Sequence, residues 1–298
     1  MELRQLKYFV AVARNLSFSE ASRRLFVTQG AISQQIKLLE DELGSPLFTR
    51  SSHKVALTEA GQELLPLAEK TLKEAEDCKV HISDLRKMLA GSLNIGLTHS
   101  FAELMNDTVK EFLKKYPNVH LKVHYETASE LFDMLDRGEV DLILAFKPAR
   151  YREDIVSEEL FEARLSAVMR KDHPLAGKAS LTINDLGKHG MILPGAGLQS
   201  RKTFERFVNI DTTNFNVRVE LNEPNIILDF IESSNLFSIL SSLAVYYRPN
   251  LIAIPLEHID SRMKGCVHWL KDSYRKKSAE AFVELLHDSA KIRRLMMK

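Results

Sequence analysis

Apolar positions recur with a helical period near the N-terminus. Ile32, Ile36, Leu39 and Leu43 fall at i, i+4, i+7 and i+11, which predicts a helix with one apolar stripe. Its other side carries Gly30, Gln34 and Lys37, with Ser33 on the flank and Gln29 at the start. Thr28 suits the N-cap of this helix. Upstream, Ser17 followed by Glu20 is a capping-box pattern for a shorter helix, whose apolar side is Phe18, Ala21 and Leu25. Phe26-Val27 breaks that pattern and predicts a tight turn between the two helices. Leu3, Leu6, Phe9, Val10 and Val12-Ala13 predict an earlier helix that packs beneath them. Leu43-Gly44 reads as a helix stop, and Pro46-Leu47-Phe48 returns the chain to the core. Residues 49–57 then read as a two-stranded wing with a polar, basic tip at 50–54.

From Thr58 to about Leu89 the period becomes that of a coiled coil. Leu64, Ala68, Thr71, Ala75, Cys78, Ile82, Leu85 and Leu89 alternate spacings of four and three, and charged residues cover the rest. A long helix with so narrow a seam, lying outside a globular core, calls for a partner helix. Pro66 should bend its first turns. Ala90-Gly91-Ser92 ends it and provides a hinge.

Beyond residue 92 strand and helix patterns alternate. Strands are predicted at 93–97, 119–126 and 141–146, an extended stretch at 155–160, and helices at 101–116 and 129–137. A second set follows from about Ala163, with strands at 165–169, 191–193, 216–220 and 237–240 and helices at 199–207, 225–232 and 241–247. Residues 265–270 and a helix at 278–295 return to the first set. That order implies parallel sheets with helices on both faces. The fold class is mixed α and α/β: a winged helix-turn-helix at 1–58, a linker helix and hinge at 59–91, and a two-lobed α/β domain at 92–298. Lobe I covers about 92–162 and 265–298, and lobe II about 163–264.

Candidate chemistry falls in two places. Small, amide-bearing and cationic side chains at the start of the helix after Thr28 suit base edges and phosphates, although a solvated polar face would show the same pattern. In α/β folds ligands sit where strands end and helices begin. Thr98-His99-Ser100, Thr127-Ala128-Ser129, Phe146-Lys147-Pro148 and Pro194-Gly195-Ala196-Gly197 all occupy such ends. Their hydroxyls and free amides suit a small anion, and helix capping accounts for each hydroxyl about as well. His120 and His124 share a strand face without a third ligand, so no metal site is expected. No nucleophile elbow, phosphate loop or dinucleotide fingerprint is present, so neither an enzyme nor a cofactor is indicated.

Composition refines this little. The 298 residues are 45% hydrophobic and 27% charged, as in a soluble globular protein. The net charge of +1 does not advertise a nucleic-acid binder, yet the bases of the first 63 residues cluster where a duplex would lie and the acids at Glu40, Asp41 and Glu42 lie beyond it. Two cysteines, Cys78 and Cys266, are too few for a disulfide framework, and Cys266 reads as a buried small hydrophobe. With no signal-peptide pattern and no membrane-length apolar run, the expected location is the cytoplasm.

The N-terminal residues also carry a family likeness. Residues 1–9, Ser17-Phe18-Ser19-Glu20-Ala21-Ser22, Val27-Thr28-Gln29-Gly30-Ala31-Ile32-Ser33, Leu39-Glu40, Leu43-Gly44-Ser45-Pro46-Leu47-Phe48, Arg50 and Leu57-Thr58-Glu59-Ala60-Gly61 closely resemble, in order and spacing, the LysR-type transcriptional regulators. One departure is Gly30, where the family usually has proline or serine. The resemblance implies DNA contact by Thr28, Gln29, Gly30, Ser33, Gln34 and Lys37 and by Arg50, His53 and Lys54 of the wing. It implies a periplasmic-binding-protein-like effector domain with its inducer in the cleft, carried here onto Thr98, Ser100, Thr127 and Ser129, beside which His99, Phe146 and Gly195 are candidates by position. It also implies double-stranded DNA, a small and anionic effector, further copies of the chain as an antiparallel dimer or a tetramer, and RNA polymerase as partners, with no membrane. Near residue 235 the family's glycine-rich stretch is replaced by Ser233-Ser234-Asn235-Leu236. An architectural DNA-binding protein without an effector, or an enzyme or binding protein built on the same α/β lobes, would share parts of the pattern. The second leaves the first 90 residues unexplained.

Overall fold

A computed structural model describes residues 1–51, 54–85, 90–148, 152–210, 215–257 and 261–289. The chain divides into two compact units, Met1–Met88 and Leu89–Lys298.

The N-terminal unit holds α1 (Leu3–Asn15), α2 (Phe18–Leu25), α3 (Gln29–Leu43), the hairpin β1 (Phe48–Ser51) and β2 (Lys54–Leu57), and α4 (Glu59–Leu85). Ser17 Oγ accepts from Glu20 N at 3.2 Å, so the residue predicted to start α2 does so. Ile32, Ile36 and Leu39 of α3 are buried with Leu6, Phe9, Val12, Phe18, Leu47 and Phe48. Phe48 joins the wing to the helices by ring contacts with Phe9 at 5.5 Å and Phe18 at 5.6 Å. Leu43, the last of the predicted stripe, is 43% exposed because the core ends one turn earlier.

The start of α4 is fastened to the loop before β1. Thr58 Oγ1 donates to Pro46 O at 2.7 Å and accepts from Gly61 N at 3.0 Å. A Cβ at Gly61 would lie 2.2 Å from Leu47 O, so only glycine lets the helix come this close. The expectation that α4 lies outside a core holds for its second half alone. Ala68 and Glu69 are buried, Leu64, Leu65 and Leu72 pack on the winged core, and Arg14 Nε donates to Glu69 at 2.9 Å. What faces outward is Leu67, Thr71, Cys78 and Ile82. Pro66 lies within a continuous helix.

The C-terminal unit is built on one mixed sheet. Its strands are β3 (Gly91–Leu97), β4 (Val119–Tyr125), β5 (Leu142–Phe146), β6 (Ile155–Arg170), β7 (Gly190–Pro194), β8 (Asn216–Leu221), β9 (Phe237–Ser241), β10 (Leu251–Pro255) and β11 (Arg262–Leu270). The order is β4-β3-β5-β11-β6-β9-β7-β8, with β10 also on β6. The parallel expectation holds for β4-β3-β5 and for β9-β7-β8. It fails at the centre, where β11 and β6 run antiparallel to their neighbours. The stretches predicted as separate at 155–160 and 165–169 form the single strand β6. β6 pairs with β11 along Ile155–Arg164, then with β9 from Leu165 and with β10 from Ser166. One strand thus serves both lobes.

Helices cover both faces. They are α5 (His99–Lys115), α6 (Ala128–Asp136), α7 (Ile183–Leu186), α8 (Gln199–Phe204), α9 (Pro224–Glu232) and α10 (Lys277–Asp288), with a 3₁₀ turn at Ser242–Val245 in place of the helix expected at 241–247. In β5, Leu142, Leu144 and Phe146 pack with residues of α5 and α10, while Ile143 packs with α6. That two-sided burial explains its unbroken apolar run.

Two buried polar groups brace lobe I. Lys276 Nζ reaches Asp141 Oδ2 at 2.8 Å and Ser92 O at 3.0 Å, and the same carboxylate oxygen accepts from Asn94 N at 2.9 Å. Both side chains are 6% exposed. His268 is fully buried between Ser157 Oγ at 2.8 Å and Ala145 O at 3.2 Å. A carbonyl can only accept, so Nε2 carries the proton and Nδ1 accepts from Ser157. Burial pushes the imidazole pKa down to about 4, more than the Ala145 hydrogen bond raises it. With the folded value below the unfolded one, stability is full above about pH 6.5 and falls as pH drops toward 4. We predict a loss of about 3 kcal/mol over that window. Denaturant midpoints at pH 7 and pH 4.5 should differ less in His268→Leu than in the parent, and equal differences would refute the assignment.

Candidate functional site

The first candidate surface is the outer side of α3. Thr28 Oγ1 accepts from Ala31 N at 3.2 Å, so this hydroxyl caps the helix. Gln29, Gly30, Gln34 and Lys37 are exposed and Ser33 is half-buried. Gly30 has open space where a Cβ would be, so no packing demand accounts for the glycine. Gln29 is held in place by Ser19 Oγ, which donates to its Oε1 at 2.9 Å. Its amide NH2 is thereby left to point at acceptors. Arg50 and Lys54 lie in the wing strands, where only their backbone is described, and His53 lies outside the described residues.

One residue here carries a role that sequence reasoning missed. Glu40 Oε1 accepts from Leu47 N at 2.8 Å and from Phe48 N at 3.3 Å. It is not a solvated acid at the far end of the helix but a clamp that fixes the wing against α3. Phe26 is 94% exposed with φ of 54°, capping α2 in the left-handed region. No local pattern announces the Glu40 clamp, which depends on where the chain returns, whereas the turn at Phe26 is made by its own neighbours Ser22 and Arg23.

The second candidate is a cavity of about 180 Å³ between the lobes of the C-terminal unit. It is smaller than a drug-sized site. It lies at the carboxyl ends of β3, β4, β5, β8 and β9, and the loop after β7 reaches it too, because each parallel triplet points its strands the same way. Lobe I contributes Thr98, His99, Ser100, Tyr125, Glu126, Thr127, Ala128 and Phe146; lobe II contributes residues 197–200, 222–224, Leu240, Ser241 and Ala244; Met263 of β11 completes it. Five of the seven residues expected at the ligand are therefore in its wall: Thr98, His99, Ser100, Thr127 and Phe146.

Ser129 and Gly195 are not. Ser129 is exposed on α6 away from the lining. Gly195 N donates to Leu221 O at 2.7 Å, and a Cβ there would sit 2.9 Å from Asn222 Cβ. Gly195 lets the loop pack on β8, and Gly197 is the glycine that faces the cleft. A Cβ on Gly197 would come within 3.3 Å of Thr127 Cγ2, so the lobes are already in near contact there.

The polar groups divide into used and unused. Thr127 forms a capping box with Glu130, donating at 2.6 Å and accepting from Glu130 N at 3.4 Å, and this holds the Glu130 carboxyl below its usual range. Helix α5 has no side-chain cap; Thr98 Oγ1 instead approaches Leu144 O at 3.5 Å. Ser200 is 8% exposed, lines the cavity, and has no hydrogen bond to its hydroxyl among the described residues. His99 Nδ1 and the Tyr125 hydroxyl form a close hydrogen bond with rings edge to face at 6.0 Å. Burial, and then the facing Glu223 carboxylate, hold the Tyr125 hydroxyl above the usual tyrosine range. The charged lining residues are Glu126 and Glu223, with no lysine or arginine among them. Lys147, expected near the rim, is exposed and outside the lining.

Among the described residues no group of three or more His, Cys, Asp and Glu could hold a metal, and no helix is long and apolar enough to cross a membrane.

A winged helix-turn-helix joined in one chain to a two-lobed α/β unit with an interlobe cleft defines a DNA-binding regulator with a ligand-binding domain. Residues 3–62 match the family model "Bacterial regulatory helix-turn-helix protein, lysR family", and residues 86–291 match "LysR substrate binding domain". The chain belongs to the LysR family of transcriptional regulators. It is 33% identical over 195 residues to the HTH-type transcriptional regulator CysB of Haemophilus influenzae, a match covering 64% of this chain and 60% of that relative. The structure of a full-length OxyR variant from Pseudomonas aeruginosa superimposes with a TM-score of 0.73 at 26% identity, covering 98% of this chain and 95% of that one. Full-length CbnR complexed with its target DNA shares the fold, with a TM-score of 0.65 at 21% identity over 97% of this chain and 100% of that one.

Proposed function

We propose that the chain regulates transcription from the cytoplasm as a homodimer or homotetramer, binding operator DNA through α3 and the wing and a small molecule in the interlobe cleft. The observation that carries the DNA assignment is the exposed row Gln29, Gln34 and Lys37 on α3, set beside a wing that Glu40 clamps in place. Gln29 and Gln34 read base edges from the major groove, with Ser33 between them; Lys37 and the wing residues Arg50, His53 and Lys54 neutralise phosphates. The complex of CbnR with its target DNA supports this use of the fold.

Oligomerisation is assigned to the outward stripe of α4, Leu67, Thr71, Cys78 and Ile82, which the chain itself does not bury. The ligand acts by binding one lobe arrangement better than another, since only differential affinity shifts an equilibrium. RNA polymerase is the further partner this reading requires for activation.

The test uses operator fragments selected from fragmented genomic DNA. Lys37→Ala should weaken binding to all sequences and lower the slope of log affinity against log salt by about one unit. Gln34→Ala should instead flatten the preference between selected and scrambled fragments. Unchanged affinity, slope and preference in both variants would remove α3 from the interface.

A further inference from the structure

The cleft's ionised wall residues bear one sign, which limits what can occupy it. Glu126 and Glu223 carry the charge of the lining, and no lysine or arginine offsets them. A ligand that is only an anion would face the half-buried Glu223 carboxylate across an apolar wall, where repulsion is less screened than at exposed Glu126. A ligand that is only a cation would meet the positive end of α5, which begins in the lining with no side-chain cap and no acidic residue in its first turn.

The groups needed for both charges are present. Ser200 lines the cavity, and its hydroxyl, which forms no hydrogen bond among the described residues, stays accessible to a ligand there. Ser100 adds a second hydroxyl at the first turn of α5, which no side chain caps. Glu223 Oε1 accepts from Asn225 N at 3.1 Å, which starts α9 and fixes the carboxylate; its other oxygen has no hydrogen bond among the described residues. Glu223 is half-buried and close enough to Tyr125 to act on its hydroxyl, whereas Glu126 is exposed. Glu223 is therefore the stronger anchor for a cation.

We propose that the cleft takes a small zwitterion, an amine-bearing carboxylic acid, whose carboxylate meets the Ser100 and Ser200 hydroxyls and whose ammonium meets Glu223. This rests on the reading of the cleft as the ligand site and names the class of ligand it accepts. The apolar floor of Phe146, Leu240 and Met263 covers the carbon skeleton between the charged ends.

The test is titration calorimetry on the full chain. The probes are the protein amino acids, β-alanine and 4-aminobutanoate, each run against the acid lacking its amine and the amine lacking its carboxylate. At least one zwitterion should bind, and deleting either charged group should weaken it by about tenfold or more. Glu223→Gln keeps an oxygen to accept from Asn225 N, so the fold is retained. It should weaken the zwitterion about tenfold while leaving the amine-free acid no weaker. If no zwitterion binds, or if Glu223→Gln leaves its affinity unchanged, the proposal fails. An amine-free acid that binds as tightly as its parent and is weakened by Ser200→Val overturns the zwitterion but keeps the cleft. A binder indifferent to both Ser200→Val and Glu223→Gln overturns the cleft as well.

Discussion

Replacing Lys276 with methionine should destabilise the C-terminal unit by about 3 kcal/mol or more, the largest single loss expected outside its apolar core. Methionine fills nearly the same space, so the change isolates the charge. The ammonium now bonds to Asp141 at 2.8 Å and to the Ser92 carbonyl at 3.0 Å, drawing together the starts of β3, β5 and α10. Removing it leaves the buried carboxylate without the cation that faces it, and breaking a buried pair costs far more than the intact pair contributes. The double change Lys276→Met with Asp141→Leu should recover much of the loss, because neither charge of the pair then stays buried. Urea denaturation of parent, single and double variants decides it. A single variant that lost less than about 1 kcal/mol would show that the pair is solvated in solution.

Gly61→Ala should show an effect of the opposite sign from helix propensity. In an exposed helix the change would stabilise by up to about 1 kcal/mol. Here the new methyl would lie 2.2 Å from Leu47 O and 2.9 Å from Leu57 Cδ2, and the first of these atoms is backbone. Either α4 backs away, breaking the Thr58 cap, or the Pro46–Phe48 segment moves and carries the wing with it. A net loss of about 2–3 kcal/mol is expected, in the range of overpacked cores. Operator affinity should fall too, because the segment that moves is the one Glu40 ties to α3. Thermal unfolding and DNA titration on the same samples test this, and a raised melting temperature would refute it.

Much of the N-terminal unit was legible in the sequence because its signals are local. The caps at Ser17 and Thr28 and the period of Ile32, Ile36 and Leu39 need only a few neighbouring residues to act. The continuity of β6 was not legible. Its middle, Phe161-Glu162-Ala163-Arg164, keeps the alternation of a strand, but the expected boundary between lobes near Ala163 cut it in two, and pairing with β11 carries the strand across that boundary. α7 escapes a sequence reading because its four residues are too few for a helical period to show. Most of the expected cleft residues follow from looking where strands end. Tyr125 ends β4 and Glu223 follows β8, so both sit by the same rule, but no local spacing marks their side chains, or that of Ser200 in α8, as cleft groups. The same limit explains why the sequence points to Gly195 rather than Gly197: both are loop glycines, and only the neighbours Asn222 and Thr127 tell them apart.

The single strand shared by the two lobes has a consequence for how a bound molecule could be felt elsewhere in the protein. β6 changes partners at Arg164/Leu165 without leaving the ladder. Two jaws hung on a loop can swing freely and hold no tension, but jaws cut from one leaf behave as a torsion spring. Any relative rotation must be taken up as twist along the leaf, or by breaking ladder bonds worth about 0.5–1.5 kcal/mol each. Travel is then short and the restoring force grows with angle. For such a pair of jaws the strand's own twist sets the resting position, and any rotation away from it would be loaded onto backbone common to both.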